Sequence, residues 1–206
     1  MPLTRDEVIL DYWFGNYSDE TELTPESPRL KRWFHGGPEM DREVARLFEG
    51  DLIKARQGLY KPWENGPRSR LALVILLDQF PRHIYRGKPK SYEFDDYALE
   101  LALRSIADGT DQRLRFVERV FLYLPLMHSE EVELQNRSLQ QYRQLVEAVK
   151  AQRSMNEDFY FYTLEFALKH HEVIQKFGRF PHRNEILGRK STPEEIEYLN
   201  GPQDFN

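Results

Sequence analysis

Apolar residues recur every three or four positions along almost the whole chain, and no stretch alternates apolar with polar residues for long enough to predict a β-strand. One run, residues 71–77, is apolar without interruption, which is typical of a helix that other helices enclose on all sides. No low-complexity segment or linker separates these patterns. The sequence therefore predicts an all-α fold, with about nine antiparallel helices packed in a single domain over residues 1–206.

Capping signals predict where several of these helices begin. Thr4 and Thr192 are each followed three residues later by a glutamate, which is the spacing of a capping box. Ser129 is predicted to cap the helix that follows it, because Glu130 and Glu131 would then lie in the first turn and complement the helix dipole. Each of these three positions is therefore expected to start a helix.

Proline and glycine predict where helices end. Pro81 and Pro125 are expected to end the helices that precede them, because proline lacks an N–H group and its ring collides with the preceding turn. Gly15 and Gly109 follow periodic segments and are expected to end helices in the same way. The predicted helices lie at about 4–14, 30–34, 40–59, 69–80, 94–107, 111–124, 129–149, 156–177 and 192–199.

Composition narrows the classes of protein to which the chain can belong. With 40% hydrophobic and 31% charged residues it is neither disordered nor collagen-like. The absence of cysteine excludes disulfides, a thiol nucleophile and cysteine-ligated zinc, and we expect neither a metal nor a cofactor. A net charge of −5 gives no general attraction to nucleic acid or to an anionic membrane. The longest apolar run is far shorter than a membrane span, and residues 1–7 contain no signal-peptide core, so we expect a cytoplasmic protein.

Polar residues on apolar helix stripes are candidates for function, because a buried polar group needs a partner. His170 lies on the apolar stripe of the eighth predicted helix, and Gln135 lies on that of the seventh. His128 extends the apolar stripe of the seventh predicted helix by one turn. Glu131 is three residues further on and is close enough to contact His128. His170 can also be a core histidine with its hydrogen bonds satisfied. A helix cap would account for the glutamates but not for His128 or Gln135.

Charged residues near helix ends form a second group of candidates. Asp78 lies at the C-terminal end of the apolar run, where the helix dipole disfavours a carboxylate, and Arg82 is its nearest potential partner. A simple internal ion pair would explain both residues. Further on, Arg179, His182 and Arg183 alternate with aromatic and proline residues, so that the basic groups lie beside apolar ones. The simpler alternative is that this basic segment is a solvated face.

Standard catalytic motifs are absent from the sequence. There is no P-loop, no Rossmann glycine pattern, no H-E-x-x-H and no G-x-S-x-G. The sequence therefore predicts no reaction by motif, and no residue is assigned as catalytic.

Three sequence blocks nevertheless resemble a known family. They are Leu77-Asp78-Gln79-Phe80-Pro81-Arg82, Tyr123-Leu124-Pro125-Leu126-Met127-His128-Ser129-Glu130 and Phe177-Gly178-Arg179-Phe180-Pro181-His182-Arg183-Asn184. In order and spacing these blocks resemble the bacterial domain of unknown function 924, although His83 stands where the family pattern usually has asparagine. The resemblance implies an all-helical fold similar to tetratricopeptide-like superhelices. It implies no catalytic residue, since no activity is established for the family.

These residues support two hypotheses about function. The first is a small anionic ligand bound in a pocket where the three blocks converge, because arginines present planar forks to carboxylates or phosphates. Histidine and glutamate would add proton-transfer groups for hydrolase- or transferase-type chemistry. The candidate ligand-binding residues are Asp78, Arg82, Arg86, His128, Glu131, Gln135, His170, Arg179, His182, Arg183 and Asn184. The second hypothesis is a tetratricopeptide-like module that binds a protein or peptide without catalysis. A third reading is that these side chains only stabilise the core.

Overall fold

The computed structural model describes residues 2–34 and 36–201, and within them the protein is all α-helical with no β-strand. Nine α-helices lie in this described part, so the predicted fold class and helix number are confirmed. They are α1 (Arg5–Phe14), α2 (Pro28–Phe34), α3 (Pro38–Arg56), α4 (Pro67–Ile84), α5 (Asp95–Ala107), α6 (Phe116–Met127), α7 (Val132–Ala151), α8 (Glu157–Phe177) and α9 (Pro193–Asn200). None of the described helices is both long enough and apolar enough to cross a membrane.

Helix α4 is the central element of the fold. Every residue from Leu71 to Leu77 is fully buried, as the uninterrupted apolar run predicts. Helices α1, α3, α5 and α6 all pack against α4, so each of its faces is covered. Because α4 touches four neighbours, the polar residues at its C-terminal end are held in a closely packed environment.

Helices α6, α7 and α8 form the second half of the core. α7 packs against both α6 and α8. At the C-terminal end of α8, Val173, Ile174 and Phe180 form a small separate apolar cluster that Phe177 and Tyr198 help to cover. This cluster fixes the loop after α8 and helix α9 to the end of α8. A tetratricopeptide-like superhelix is compatible with this arrangement and stays a prediction.

Two of the predicted caps are confirmed and one is wrong. Capping boxes are present at Thr4 and Thr192. Ser129, in contrast, does not cap α7, which begins three residues later at Val132. The carboxylate of Glu130 explains the difference, because it accepts hydrogen bonds from the backbone N–H of Phe180 (2.8 Å) and from Arg189. That side chain therefore ties the loop before α7 to the C-terminal segment.

The prediction that Pro81 ends its helix is wrong. α4 continues through Pro81 to Ile84, so proline lies inside its last turn. The guanidinium of Arg82 donates a hydrogen bond to the carbonyl of Asp78 (2.6 Å), which satisfies one acceptor near the helix end. Phe80 and Pro81 are both buried. Their packing offsets the hydrogen bond that proline removes.

The predicted boundaries of the sixth helix are also wrong. α6 runs through Pro125, and its start lies at Phe116 rather than at Asp111. Residues 110–113 form a short 3-10 turn instead. In this turn the buried carboxylate of Asp111 accepts a hydrogen bond from the hydroxyl of Tyr123 (2.6 Å). A side-chain contact twelve residues away therefore sets the position of this turn.

Candidate functional site

Ionisable side chains gather where the C-terminal parts of α4, α6 and α8 meet the 3-10 turn Pro181–Arg183 and the start of α5. We call this group the helix-end cluster. Its members are Asp78, Arg82, Asp95, His128, His170, His182 and Arg183. It combines residues from the three sequence blocks that carry the family resemblance. These blocks are therefore brought together by the fold.

Asp78 and His128 form the central pair of the cluster. Oδ1 of Asp78 lies 2.7 Å from Nδ1 of His128, and Oδ2 accepts a hydrogen bond from the amide of Gln79 (2.5 Å). Burial opposes the ionised form of Asp78, but Arg82 and His128 outweigh it and hold the pKa of this carboxyl below its usual range. Burial lowers the pKa of His128, although Asp78 acts in the opposite direction. At neutral pH the pair is thus a carboxylate and a neutral imidazole.

This pairing fixes the tautomer of His128. A carboxylate can only accept a hydrogen bond, so the proton of the neutral ring lies on Nδ1 and the lone pair lies on Nε2. The side chain keeps 15% of its surface exposed. His128 is therefore a positioned imidazole whose Nε2 is oriented to accept a proton.

Arg82 links the central pair to α5. Its guanidinium donates two parallel hydrogen bonds to Asp95, of 2.9 and 3.0 Å, and lies 3.4 Å from Oδ1 of Asp78. Burial opposes its charge, but the two carboxylates outweigh burial and raise the pKa of Arg82. The ion pair predicted between Asp78 and Arg82 is present, and Asp95 is the bidentate partner.

Arg183 has an unusual environment for a buried arginine. Its side chain is 9% exposed and forms no hydrogen bond with any described residue, and the nearest carboxylate oxygen, Oδ2 of Asp95, is 4.0 Å away. The guanidinium lies over the rings of Tyr92 and Phe180, 4.8 and 4.5 Å from their centroids. Burial and the charge of Arg82 both lower the pKa of Arg183. Its hydrogen-bonding capacity is available to a further group.

Two more histidines complete the cluster. The ring of His170 is 6.4 Å from that of His128, and its Nδ1 lies 2.8 Å from the carbonyl of Phe166. Burial lowers the pKa of His170 to about 3. Burial and the neighbouring charge of Arg183 lower the pKa of His182 to about 4. Both rings are therefore neutral at pH 7.

Gln135 supports the turn that presents His128. Its side-chain amide donates hydrogen bonds of 2.6 Å to the carbonyls of Met127 and Ser129, which flank the histidine. These carbonyls belong to the C-terminal end of α6, where helical partners are missing. Its Oε1 atom is buried and accepts no hydrogen bond from a described residue. Gln135 thus acts on the position of His128 and does not belong to the cluster itself.

Arg86 and Glu131 are candidate residues that lie outside the cluster. Arg86 donates two hydrogen bonds to Asp41 of α3, of 2.7 and 2.8 Å, and His83 contacts the same carboxylate. Glu131 is exposed, and His128 pairs with Asp78 instead of with Glu131. The structure does not bring Arg86 or Glu131 to the helix-end cluster.

Arg179 and Asn184 also lie outside the cluster. Arg179 donates two hydrogen bonds to Glu195, of 2.7 and 2.8 Å, and one to the carbonyl of Lys190. The amide of Asn184 donates to Ser191 and to the same glutamate. These contacts fasten the start of α9 to the loop after α8. Arg179 therefore has a structural role, as in the third reading of the candidate residues, whereas Arg183 makes no such contacts.

Asp95 is the cluster residue that sequence reasoning missed. It connects Arg82 with Arg183 and lies in the first turn of α5. No signal in the sequence marks it, because an acidic residue in a first turn is already explained by the helix dipole. Tyr92 escaped notice for a similar reason, since it belongs to a short 3-10 turn without a periodic pattern.

The five described cavities lie away from the helix-end cluster. The largest of the described cavities, about 960 Å³, lies between α2 and α3 and is lined by Arg32, Met40 and Glu43 among others. None of these five described cavities is lined by the cluster residues. Within residues 2–34 and 36–201, no three histidine or acidic side chains are arranged to hold a metal ion.

Fold and site together define an all-α protein with a buried Asp-Arg-His cluster at its helix ends. The family model of bacterial proteins of unknown function (DUF924) matches residues 9–203, and the chain belongs to this family. A solved structure, a protein of unknown function named ATU0120 from Agrobacterium tumefaciens, is 31% identical, with a TM-score of 0.73 over 95% of this chain and 96% of that one. No protein with a curated description matches the chain. The resemblance of the three sequence blocks is thereby confirmed.

Proposed function

We propose that the helix-end cluster binds a small anionic group, a phosphate or a carboxylate, through the guanidinium of Arg183. The observation that carries this proposal is the buried Arg183 side chain, which has no hydrogen bond to a described residue. Its ion pair with Asp95 is long, at 4.0 Å, and its buried Nε has no hydrogen-bond partner among the described residues, which is costly. An anion would supply the charge-assisted hydrogen bonds that this guanidinium lacks.

The balance of charge in the cluster supports an anion. Arg82 and Arg183 share Asp95, but Arg82 holds it with both nitrogens while Arg183 is 4.0 Å away. His128 and His182 are neutral at pH 7 because burial lowers their pKa values. Either ring can take up a proton when an anion enters, since a nearby negative charge raises a histidine pKa. Binding is therefore expected to strengthen as the pH falls.

His128 supports the finer part of the proposal, hydrolase- or transferase-type chemistry on the bound anion. Asp78 holds its ring with Nδ1 protonated, so Nε2 is the atom that would accept a proton from an attacking hydroxyl group. A second imidazole, that of His170, lies 6.4 Å away. Proton transfer by His128 is the step that the geometry supports.

The alternative, a module that binds a peptide, has less support. A peptide groove would be long and lined mainly by apolar side chains. The largest described cavity instead contains Lys31, Arg32, Glu39, Arg42 and Glu43. We therefore favour the anion site over the peptide module.

The experiment measures the binding of inorganic phosphate by titration calorimetry. It compares the wild type with the variants Arg183→Lys and Arg179→Lys. Arg183→Lys keeps the charge but loses the planar fork, so we expect an affinity loss of about tenfold or more with little change in melting temperature. Arg179→Lys is the matched control, because that arginine is held by Glu195. It should leave phosphate affinity unchanged.

Two results would contradict the proposal. One is that neither phosphate nor acetate binds the wild type at about 10 mM, a concentration that corresponds to about −2.7 kcal/mol. The other is an equal loss of affinity in both lysine variants, because only Arg183 lies in the cluster. A large drop in melting temperature for Arg183→Lys, with phosphate affinity intact, would show that this arginine is structural.

A further inference from the structure

A second, separate cavity lies at the N-terminal end of α8. It has a volume of about 350 Å³, within the range of small-molecule sites. The residues that define it are Leu23, Leu30, Phe34, Asp158, Phe159 and Tyr162. Tyr162 and His170 are eight residues apart on α8, or about 12 Å along the helix axis. The cavity is thus distinct from the helix-end cluster.

Three aromatic rings line this cavity, that of Phe34 from α2 and those of Phe159 and Tyr162 from α8. The ring of Phe34 is 6.4 Å from that of Phe159 and 6.4 Å from that of Tyr162, with interplanar angles of 51° and 81°. Rings tilted in this way present their faces in several directions, and each face carries partial negative charge. Phe159 is buried, whereas 48% of Tyr162 is exposed at the opening. The cavity therefore has an aromatic wall that reaches the solvent.

One carboxylate completes the cavity. Asp158 is exposed in the first turn of α8, and it is the charged residue among the described residues that line the cavity. Leu23, Pro25 and Leu30 provide the apolar remainder of the lining. A cation with an apolar body would meet ring faces, aliphatic carbon and a carboxylate at the same time.

The wall opposite α8 is held in place by hydrogen bonds. Asn156, just before α8, accepts from the backbone N–H of Leu23 (2.7 Å) and donates to the carbonyl of Thr21 (2.8 Å). Ser27 accepts a hydrogen bond from the backbone N–H of Thr24 (2.9 Å), just before α2. The loop is thus fixed both to α8 and at the start of α2. A fixed wall lowers the ordering cost of binding.

We propose that this cavity binds an organic ammonium ligand whose apolar part fills the space between α2 and α8. The positive nitrogen lies against the faces of Phe34 and Tyr162 and near the carboxylate of Asp158. Aromatic walls combined with an acidic rim are the chemistry by which quaternary ammonium groups are recognised. This site is independent of the anion site proposed above.

The experiment compares choline with its neutral isostere, in which carbon replaces the nitrogen, by NMR titration of the full chain. We expect choline to bind about threefold to tenfold more tightly, because only the cation interacts with the ring quadrupoles and the carboxylate. Shifted resonances should include those of Phe34 and Tyr162. Equal binding of the two probes would overturn the proposal, as would no binding of either.

Variants of Tyr162 test whether choline binds through the aromatic ring face or only because its apolar part is buried. Tyr162→Leu should weaken choline about threefold to fivefold, and Tyr162→Phe should retain affinity because it keeps the ring face. Phe161→Leu is the matched control for the ring, because Phe161 is exposed but does not line the cavity. A loss in Phe161→Leu equal to that in Tyr162→Leu would contradict the site.

Asp158→Asn tests the carboxylate against its neighbour. Glu157 lies in the same first turn of α8 but is not among the cavity residues. Asp158→Asn should weaken choline about twofold to fivefold while Glu157→Gln leaves it unchanged, since an exposed ion pair contributes modestly. Equal losses in the two variants would mean that the acidic helix end attracts cations without a site, and would overturn the proposal.

Discussion

Asp78 shows how a single buried carboxylate is stabilised. It is fully buried at the end of α4, where the helix dipole is unfavourable, yet its pKa lies below the usual range. Three groups compensate: the imidazole of His128, the guanidinium of Arg82 and the amide of Gln79. The carboxylate in turn fixes the orientation of the imidazole. Removing the carboxylate would leave the imidazole of His128 and the amide of Gln79 without this hydrogen-bond partner, whereas Arg82 would keep Asp95.

Substitution of Asp78 should therefore be strongly destabilising. We expect Asp78→Ala to lower the free energy of unfolding by about 3 to 5 kcal/mol, because it breaks a buried ion pair. Asp78→Asn should cost less, since its amide oxygen can still accept from Nδ1 of His128. The measurement is the urea midpoint at pH 7. Asp96→Ala is the control, an exposed first-turn carboxylate of α5 that should cost less than about 1 kcal/mol. Equal midpoints for all three variants would show that Asp78 is not a buried counter-ion.

The sequence predicted part of the cluster at the residue scale. His170 was found because it is polar on an apolar face, and Asp78 because it is a carboxylate at the C-terminal end of an apolar run; both are buried. Arg179 and Arg183 could not be told apart, because both are basic residues close to phenylalanine. What separates them is Glu195, which holds Arg179 and not Arg183. Arg179 and Glu195 are 16 residues apart and are joined by a loop, so their contact leaves no periodic pattern in the sequence.

At the scale of elements, packing overrides local preference at two prolines. Pro81 and Pro125 lie inside α4 and α6, although proline disfavours a helix interior. Phe80, Pro81, Leu124, Pro125 and Leu126 are all buried, so apolar packing around each proline offsets the missing hydrogen bond. The capping boxes at Thr4 and Thr192 and the glycine at position 15, which ends α1 with a φ of +59°, were in contrast reliable local signals. Sequence patterns therefore predicted helix ends where local hydrogen bonds decide them.

Helix α9 depends on a single glutamate. Glu195 is buried and accepts hydrogen bonds from Arg179, from the amide of Asn184 and from the backbone N–H of Thr192. The hydrogen bonds from Arg179, more than any other cause, lower the pKa of Glu195 to about 2. The rings of Phe177 and Tyr198, with centroids 5.1 Å apart, add a contact between α8 and α9. The stability of this element is therefore local.

We expect Glu195→Gln to loosen α9 without unfolding the core. Amide hydrogen exchange in residues 193–200 should become roughly tenfold faster, because a charged hydrogen bond contributes about 1.5 kcal/mol or more. Exchange in α4 should not change. Glu194→Gln is the control, since this neighbouring side chain is exposed. Faster exchange in every helix would show that α9 is part of the global unfolding unit instead.

For the whole molecule, the sequence predicted the class of fold but not its topology. The apolar run of α4 showed that the helix is enclosed, and this is confirmed. Which helices enclose it depends on how apolar faces fit one another, and periodicity gives only the direction of each face. The contact between Asp78 and His128, fifty residues apart, follows from that unpredicted packing. The place of the site could therefore be found only from the structure.

Neutral buried histidines make the stability of the whole molecule sensitive to mild acid. The pKa values of His170 and His182 are lowered to about 3 and about 4, mainly by burial, against about 6.5 in an unfolded chain. Between pH 6.5 and pH 4 the unfolded chain thus binds protons that the folded chain does not. Stability must fall as the pH falls through this window, by about 1.4 kcal/mol per pH unit for each such histidine.

The measurement is the free energy of unfolding in urea at several pH values from 7 to 5. Carboxylates with lowered pKa values, such as Asp78 and Glu195, contribute stability above about pH 4 and lose it only at lower pH, so they do not produce this slope. His170→Gln should reduce the slope by about 1.4 kcal/mol per pH unit, because its unfolded state no longer takes up that proton. If the free energy of unfolding depends on pH equally in the wild type and in the variant, His170 is protonated in the folded protein. The assignment of a neutral His170 would then be wrong.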